Sequence, residues 1–324
     1  MNQAADGRNG SLTWAKVYWL CLSELAYTSC AAGADPQIRA MTDTLTQARQ
    51  RRIVWSGAGM PASDGAGVKL NRIIGQPALP DLDPFLLLDA FGSDDPQAYI
   101  AGFPSHPHRG FETVTYMLAG RMRHKDNAGN EGLLGPGSVQ WMTAGRGIVH
   151  SEMPEQDHGL MQGFQLWVNL PAKDKMTAPR YQDIPAAKVP EADLGGGVTA
   201  RVLAGEIAGV RGPVDPGATQ PIFLDMALPA GAEATIPLPA GHNAFVYVYL
   251  GEASVGDPAD ALTRGRIGVL SPGETVTLAS GAGARLILVA GKPLGEPVAR
   301  HGPFVMNTQA ELVQAFDDFR AGRF

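Results

Sequence analysis

Short runs of apolar residues, each ended by glycine, proline or aspartate, recur along the chain from residue 52 onward. Several runs alternate apolar and polar side chains, and others are rich in β-branched and aromatic residues, which suit a pleated strand. The clearest predicted strands are 52–55, 68–74, 84–91, 113–118, 138–142, 164–170, 244–250 and 285–290. Many short strands separated by turns predict an all-β fold built from sandwiches or barrels.

The C-terminal residues follow a helical period instead. Thr308 and Glu311 have the spacing of a capping box, in which the two side chains bind the first free backbone amides of a helix. Leu312, Phe316 and Phe319 follow at i, i+4 and i+7, which places them on one face. The sequence therefore predicts a short C-terminal helix that packs on a domain.

The order of strands and turns repeats with a period of about 130 residues. One predicted strand ends at Gly120, and a strand of similar composition ends at Gly251. A chain of 324 residues also has the length of two ordinary domains. We place the N-terminal domain at 51–178 and the C-terminal domain at 179–324. Residues 1–50 are expected to form an N-terminal extension, unpacked or partly helical.

The composition is that of a globular protein with a mild negative charge. A hydrophobic content of 44% suffices for a core, and a net charge of −6 argues against direct nucleic acid binding. The apolar stretch 14–27 is too short and too charged to span a bilayer, so no membrane attachment is expected. Met41 is an alternative start of the chain. Cys21 and Cys30 are the only cysteines, which excludes a disulfide framework downstream and indicates a cytoplasmic location.

Two pairs of side chains have the spacing of metal ligands on strands. His106 and His108 are separated by one residue, as are His150 and Glu152. Because residues i and i+2 of a strand point to the same face, each pair can converge on one ion. Mixed imidazole and carboxylate ligation suits Fe(II), Mn(II), Zn(II), Ni(II) and Cu(II). We expect one divalent ion, with Fe(II) favoured and the other metals as alternatives, and with coordination positions left for water, substrate or oxygen.

Glu112 is a rival ligand. It shares the parity of His106 and His108 on an unbroken strand. Pro107 and Gly110 can interrupt that strand, in which case Glu112 is expected to orient a ligand imidazole instead of binding the ion.

Four segments of the chain resemble the pirin family. Segment 106–116, HPHRGFETVTY, looks like the signature of that family, and segment 143–152, TAGRGIVHSE, looks like its second metal motif. Segments 63–70 and 300–307 are also similar to pirin segments. The resemblance runs from about residue 52 to the C-terminus, and its motifs are much longer than a bare His-x-His.

The resemblance implies two tandem cupin domains, each a double-stranded β-helix or jelly roll. It also implies a metal in the N-terminal domain only, held by His106, His108, His150 and Glu152, whereas Glu112 is not expected to be a direct ligand. Consistent with this, Pro237 and Pro239 occupy the positions in the second repeat that correspond to the first histidine pair, and proline cannot bind a metal through its side chain.

The implied activity is a metal-dependent dioxygenase similar to quercetin 2,3-dioxygenases. A flavonol-type aromatic substrate would bind the metal through its 3-hydroxyl and carbonyl oxygens and react with O2. Glu152, or Glu112, would take the hydroxyl proton as general base. The alternative is a metal- or redox-dependent regulatory protein that binds a protein partner without turnover, and a weaker one is a cupin isomerase or hydrolase. An open cavity beside the metal would favour the enzyme.

Two further groups of residues carry expectations. The apolar residues near the motifs are expected to line a pocket for a flat aromatic or, alternatively, to fill the core; they are Phe103, Phe111, Trp141 and Met142. His124 and His158 lie in polar turn segments and are expected to be solvated.

Overall fold

The computed structural model describes residues 49–215, 217–256 and 258–324. Residues 1–48 of the predicted N-terminal extension therefore lie outside the described residues. The described residues form 25 strands and one α-helix. Strands of the first half are β1 (Ile53–Ala58), β2 (Met60–Asp64), β3 (Val68–Ile74), β4 (Phe85–Ser93), β5 (Phe103–His108), β6 (Phe111–Ala119), β7 (Met122–Asp126), β8 (Glu131–Leu134), β9 (Val139–Thr143), β10 (Ile148–Pro154), β11 (Met161–Asn169) and β12 (Arg180–Ile184).

The second half has thirteen strands followed by helix α1 (Gln309–Arg320). Its strands are β13 (Glu191–Asp193), β14 (Thr199–Ala204), β15 (Glu206–Ile207), β16 (Val210–Arg211), β17 (Ile222–Leu228), β18 (Ala232–Pro237), β19 (Asn243–Val255), β20 (Asp260–Thr263), β21 (Arg266–Leu270), β22 (Thr275–Ser280), β23 (Ala284–Gly291), β24 (Ala299–His301) and β25 (Phe304–Met306). Each of the eight predicted strands overlaps one of these strands, so the predicted all-β class is confirmed.

Two sheets enclose the first domain. The larger sheet has the order β12-β9-β6-β11-β4-β3-β2, and the smaller has the order β5-β10-β7-β8. Leu70, Phe91 and Met117 of the larger sheet pack against Met122 and Leu134 of the smaller one. Burial of these apolar side chains between two sheets drives the packing of the sandwich.

The second domain is built on a ten-stranded sheet, and the two domains exchange strands at their ends. Strand β1 pairs with β21 of the second domain, whereas β12 pairs with β9 of the first. Both pairings cross the boundary that the sequence placed between residues 178 and 179, and the domain boundaries remain predictions.

The larger sheets of the two domains pack face to face. Tyr116, Trp141 and Leu166 from the first domain share one buried cluster with Phe223 and Phe245 from the second. Strand β6 is therefore buried on both faces, because one face lines the first domain and the other meets the second domain. This double burial explains why its sequence shows no regular alternation of polar and apolar residues.

The C-terminal helix has the predicted capping box, because Thr308 Oγ1 accepts from the Glu311 amide and the Glu311 carboxylate accepts from the Thr308 amide. The hairpin β24–β25 precedes it and lies against the first domain, where the Val305 amide donates to the Arg109 carbonyl. Helix α1 joins the same contact, since Arg109 Nη1 donates to Asp318 at 2.7 Å. Within the described part of the chain, no helix combines the length and apolar character that a bilayer crossing requires.

Gly110, between β5 and β6, is expected to be sensitive to substitution. Its φ is +88°, and a Cβ there would lie 2.0 Å from the Val305 carbonyl oxygen. We expect Gly110→Ala to lower the free energy of unfolding by about 3 kcal/mol, from the positive φ and the clash together. Gly129→Ala is a matched control, because Gly129 has φ +91° and open space around it. Urea unfolding should show that Gly129→Ala lowers the free energy of unfolding by only about 1 kcal/mol. Equal losses in the two variants would contradict the steric clash at Gly110.

Candidate metal centre

The two predicted ligand pairs lie on neighbouring strands of the smaller sheet. Strand β5 carries His106 and His108, and strand β10 carries His150 and Glu152. The strands are antiparallel, and the register places His150 opposite His106. A register shift follows His150, so Glu152 is paired with Phe103. Antiparallel pairing thus brings residues that are more than 40 positions apart in sequence to one face of one sheet.

The three histidines form a compact cluster. Their ring centroids are 4.5–5.1 Å apart, and one ligand atom of each lies within 4.8 Å of the others. Nε2 of His106 is 3.0 Å from Nε2 of His108. Two nitrogens that each bind one ion at about 2.1 Å, at right angles, are about 3.0 Å apart. The cluster therefore fits a divalent metal ion.

The surroundings orient the His106 ring and keep the His108 and His150 rings neutral. His106 Nδ1 lies 2.8 Å from the Pro104 carbonyl oxygen, so it is placed to donate and to leave Nε2 as a free lone pair. Burial lowers the pKa of His108 and His150 well below the ordinary value, and neighbouring histidines lower it further. His108 Nδ1 and both ring nitrogens of His150 have no hydrogen-bond partner among the described residues. Neutral, unpartnered imidazoles are the form that metal ligation requires.

Glu152 lies beside the cluster with a buried carboxyl group. Thr115 Oγ1 lies 3.1 Å from its Oε1 and 2.6 Å from Gln165 Oε1, so the single hydroxyl proton is shared between two acceptors. Gln165 Nε2 donates to Glu152 Oε2 at 3.5 Å. Burial raises the pKa of the carboxyl group, while His106 and Thr115 act in the opposite direction. A carboxyl group with a raised pKa next to an imidazole cluster can bind a cation as the carboxylate or hold a proton as the acid.

A cavity of about 670 Å³ opens directly onto His106, His108 and Glu152. This volume lies within the range that holds small organic ligands. Of the four predicted lining residues, the cavity contacts Phe103, whereas Trp141 belongs to the buried interface of the domains and Met142 packs with Ala144 and Ile148. The other side chains on its walls include Leu70, Leu87, Phe91, Met122, Gln165 and Trp167.

Trp167 is the aromatic wall that sequence reasoning missed. Its ring lies 5.3 Å from the His108 ring and 4.3 Å from the ring of Phe111. Phe111 itself is fully buried behind these rings and does not line the cavity. The alternation of β11 could have indicated Trp167, because Gln165 and Trp167 share a face.

The structure does not bring Glu112 to the histidines. Glu112 is on β6, where Thr115 faces Glu152, and residues 112 and 115 point to opposite faces of the strand. Its carboxylate accepts from Thr143 Oγ1 at 2.6 Å and lines a separate cavity of about 190 Å³. Burial raises the pKa of Glu112. Gly110, with its positive φ, separates β5 from β6 and breaks the strand, as the sequence had allowed.

The expected solvation of His124 is wrong. Its side chain is 1% exposed on β7, stacked on Tyr181 at 5.3 Å and 3.4 Å from Asp183. Strand β10 places Glu152 directly opposite it. The turn signal after His124 suggested exposure, but Tyr181 and Asp183 arrive from β12 and cover the ring. His158, in contrast, is 89% exposed, as expected.

Comparisons with known proteins agree with this architecture. Residues 67–168 match the model of the pirin family, and residues 223–324 match the model of the pirin C-terminal cupin domain. A pirin-like protein of Caulobacter vibrioides is 55% identical over 82% of this chain and 96% of its own length. Human pirin is 42% identical over 83% of this chain and 92% of its own length.

Solved structures show the same similarity. A crystal structure of quercetin 2,3-dioxygenase from Acinetobacter baumannii superposes with a TM-score of 0.79 at 36% identity, and covers 85% of this chain and 98% of the other. The two family matches together span both halves of the described fold and confirm two tandem cupin domains. The chain therefore belongs to the pirin family.

Proposed function

We propose that this protein is a metal-dependent dioxygenase that acts on a flavonol-type aromatic substrate with O2. The observation that carries the proposal is the cavity of about 670 Å³ that opens onto the histidine cluster. A structure with a filled barrel would have left no room for an aromatic beside the metal ligands. The solved relative named quercetin 2,3-dioxygenase supports the same reaction class.

The proposed metal ligands are His106, His108, His150 and Glu152, with Fe(II) as the proposed ion. Three neutral imidazoles and one carboxylate form a donor set that suits this metal. When bound, the metal supplies Lewis acidity and a place where oxygen and substrate meet. The proposed cytoplasmic location provides the reducing surroundings in which Fe(II) persists.

The side chains around the cluster have separate proposed roles. Glu152 accepts the proton of the substrate hydroxyl at Oε1 or Oε2, and its buried carboxyl group is adapted to hold that proton. Thr115 and Gln165 orient the carboxyl group through the contacts described above. Trp167 and Phe91 offer apolar walls that orient a flat ring and exclude water. Glu112 faces another cavity, so it is not proposed as the base.

The test combines metal analysis with oxygen dependence. The full chain is reconstituted with Fe(II), its metal content is measured, and quercetin absorbance is followed under air and under argon. We expect one ion per chain and a loss of quercetin absorbance only under air. Glu152→Gln keeps the shape of the side chain but removes the base, and we expect turnover to fall by about 10²- to 10⁴-fold.

Glu112→Gln is the matched control, because its carboxyl group is similarly buried but lies at a different cavity. Turnover of this variant should equal that of the wild type. Stoichiometric metal with no turnover in the wild type would overturn the dioxygenase proposal and favour a regulatory protein with a protein partner. Equal losses in both glutamate variants would contradict the role of Glu152.

A further inference from the structure

The cavity has a charged end in addition to its metal end. Arg72, Arg300, Asp64 and Asp89 all contribute to its walls. Arg72 is neutralised there, because it donates to Asp89 through Nε at 2.9 Å and Nη2 at 2.7 Å, and to Asp64 at 2.9 Å. Both carboxylates of this end are thus engaged by one arginine.

Arg300 makes no direct ion pair of this kind. Among the described residues, no carboxylate oxygen lies within 4.0 Å of its guanidinium nitrogens. Nη1 of Arg300 donates a hydrogen bond at 2.9 Å to a neutral acceptor, the Leu86 carbonyl oxygen. Partial burial and the nearby charge of Arg72 lower the pKa of Arg300, whereas the more distant carboxylates of Asp89, Asp64 and Asp81 act in the opposite direction. A cation in this position gains more from an anionic ligand than one that already has a carboxylate partner.

Trp167 connects Arg300 to the metal end. The guanidinium of Arg300 lies over the Trp167 ring at 4.8 Å, and the centroid of the same Trp167 ring is 5.3 Å from that of the His108 ring. Cation–π contact holds the guanidinium plane against the indole. Arg300 and Trp167 therefore form one wall of the cavity, and Trp167 contacts the histidine cluster.

We propose that Arg300 selects substrates that carry an anionic oxygen group, such as a carboxylate, on the ring distant from the metal-binding oxygens. The inference rests on the proposed function, because it assumes a planar aromatic that binds the metal at one end. Such a ligand lies along Trp167 and forms a charge-assisted hydrogen bond with the guanidinium. A neutral flavonol of the same shape fills the cavity without that bond.

The test compares two probes of equal shape. One is 3-hydroxyflavone with a 4′-carboxylate, and the other is its 4′-carboxamide. Binding to the Fe(II)-loaded full chain is measured by titration calorimetry under argon, so that no turnover contributes. We expect the carboxylate to bind about tenfold more tightly than the amide, as a charge-assisted bond predicts, and this preference to shrink as salt is added.

Three variants make the test specific. Arg300→Met keeps an unbranched stem on Trp167 and should bind both probes equally, whereas Arg300→Lys should retain part of the preference because it retains the charge. Lys292→Met removes an exposed cation that does not line the cavity and should leave the preference intact. Equal binding of both probes to the wild type would overturn this inference alone. Failure of both probes to bind would overturn the proposed flavonol substrate as well.

Discussion

His150→Ala is expected to abolish stoichiometric metal binding and, with it, turnover. The His150 ring is 4.5 Å from His106 and 5.1 Å from His108, so its removal leaves two imidazoles and Glu152 as the remaining proposed ligands. Loss of a residue that only orients a ligand already costs about 10- to 100-fold in metal affinity. We therefore expect at least about a 100-fold weaker affinity for the ligand variant.

The measurement is metal content after dialysis, followed by a competition titration against a chelator. His158→Ala is the control, since His158 is an exposed histidine outside the cluster. It should retain one ion per chain. Circular dichroism of both variants shows whether the fold is kept. Undiminished affinity in a folded His150→Ala would mean that the ion binds elsewhere, and the proposed ligand set would be wrong.

The grouping of the histidines at one end of the cavity could be predicted because the sequence pattern is local. Each ligand pair is a two-residue pattern on one strand, and the alternation of side chains fixes the face without any tertiary knowledge. Only the register of His106 with His150 requires the fold. The capping box of α1 is equally local, because Thr308 and Glu311 are three residues apart.

The rest of the site depends on contacts between distant segments. Trp141 was expected to line the pocket because it is near the motifs in sequence. Its side chain lies instead on the face of the sheet that packs against the second domain. Periodicity separates the two faces of a strand but does not tell which face meets the second domain. His124 is buried by a strand almost 60 residues later. Arg300 reaches the cavity from the far end of the chain and contacts Trp167 there. Such long-range packing has no signature in one sequence without an alignment.

The Lys175 side chain holds the C-terminal hairpin against the strands of the histidine cluster. Its side chain is 1% exposed, and Nζ donates to the Gly110 carbonyl at 2.7 Å, to Asn169 Oδ1 at 2.7 Å and to the Val305 carbonyl at 3.1 Å. Gly110 follows the ligand strand β5 by two residues, and Val305 belongs to β25. One ammonium group thus joins three segments, and its three donors match three oxygens.

Lys175→Met is expected to destabilise the protein by about 3–5 kcal/mol, because it leaves three buried acceptors without a donor. Lys173→Met, on the same turn but exposed, should have little effect. Burial lowers the pKa of the Lys175 ammonium from its ordinary value of 10.5 to about 8. The unfolded chain then binds more protons between these values, so this group makes stability rise as pH increases from about 8 to 10.5. Urea unfolding at pH 7.5 and pH 10 measures the free energy of unfolding of the wild type and of Lys175→Met. The difference between the two proteins should be larger at pH 10. A smaller difference at pH 10 would show that the folded protein prefers the charged ammonium.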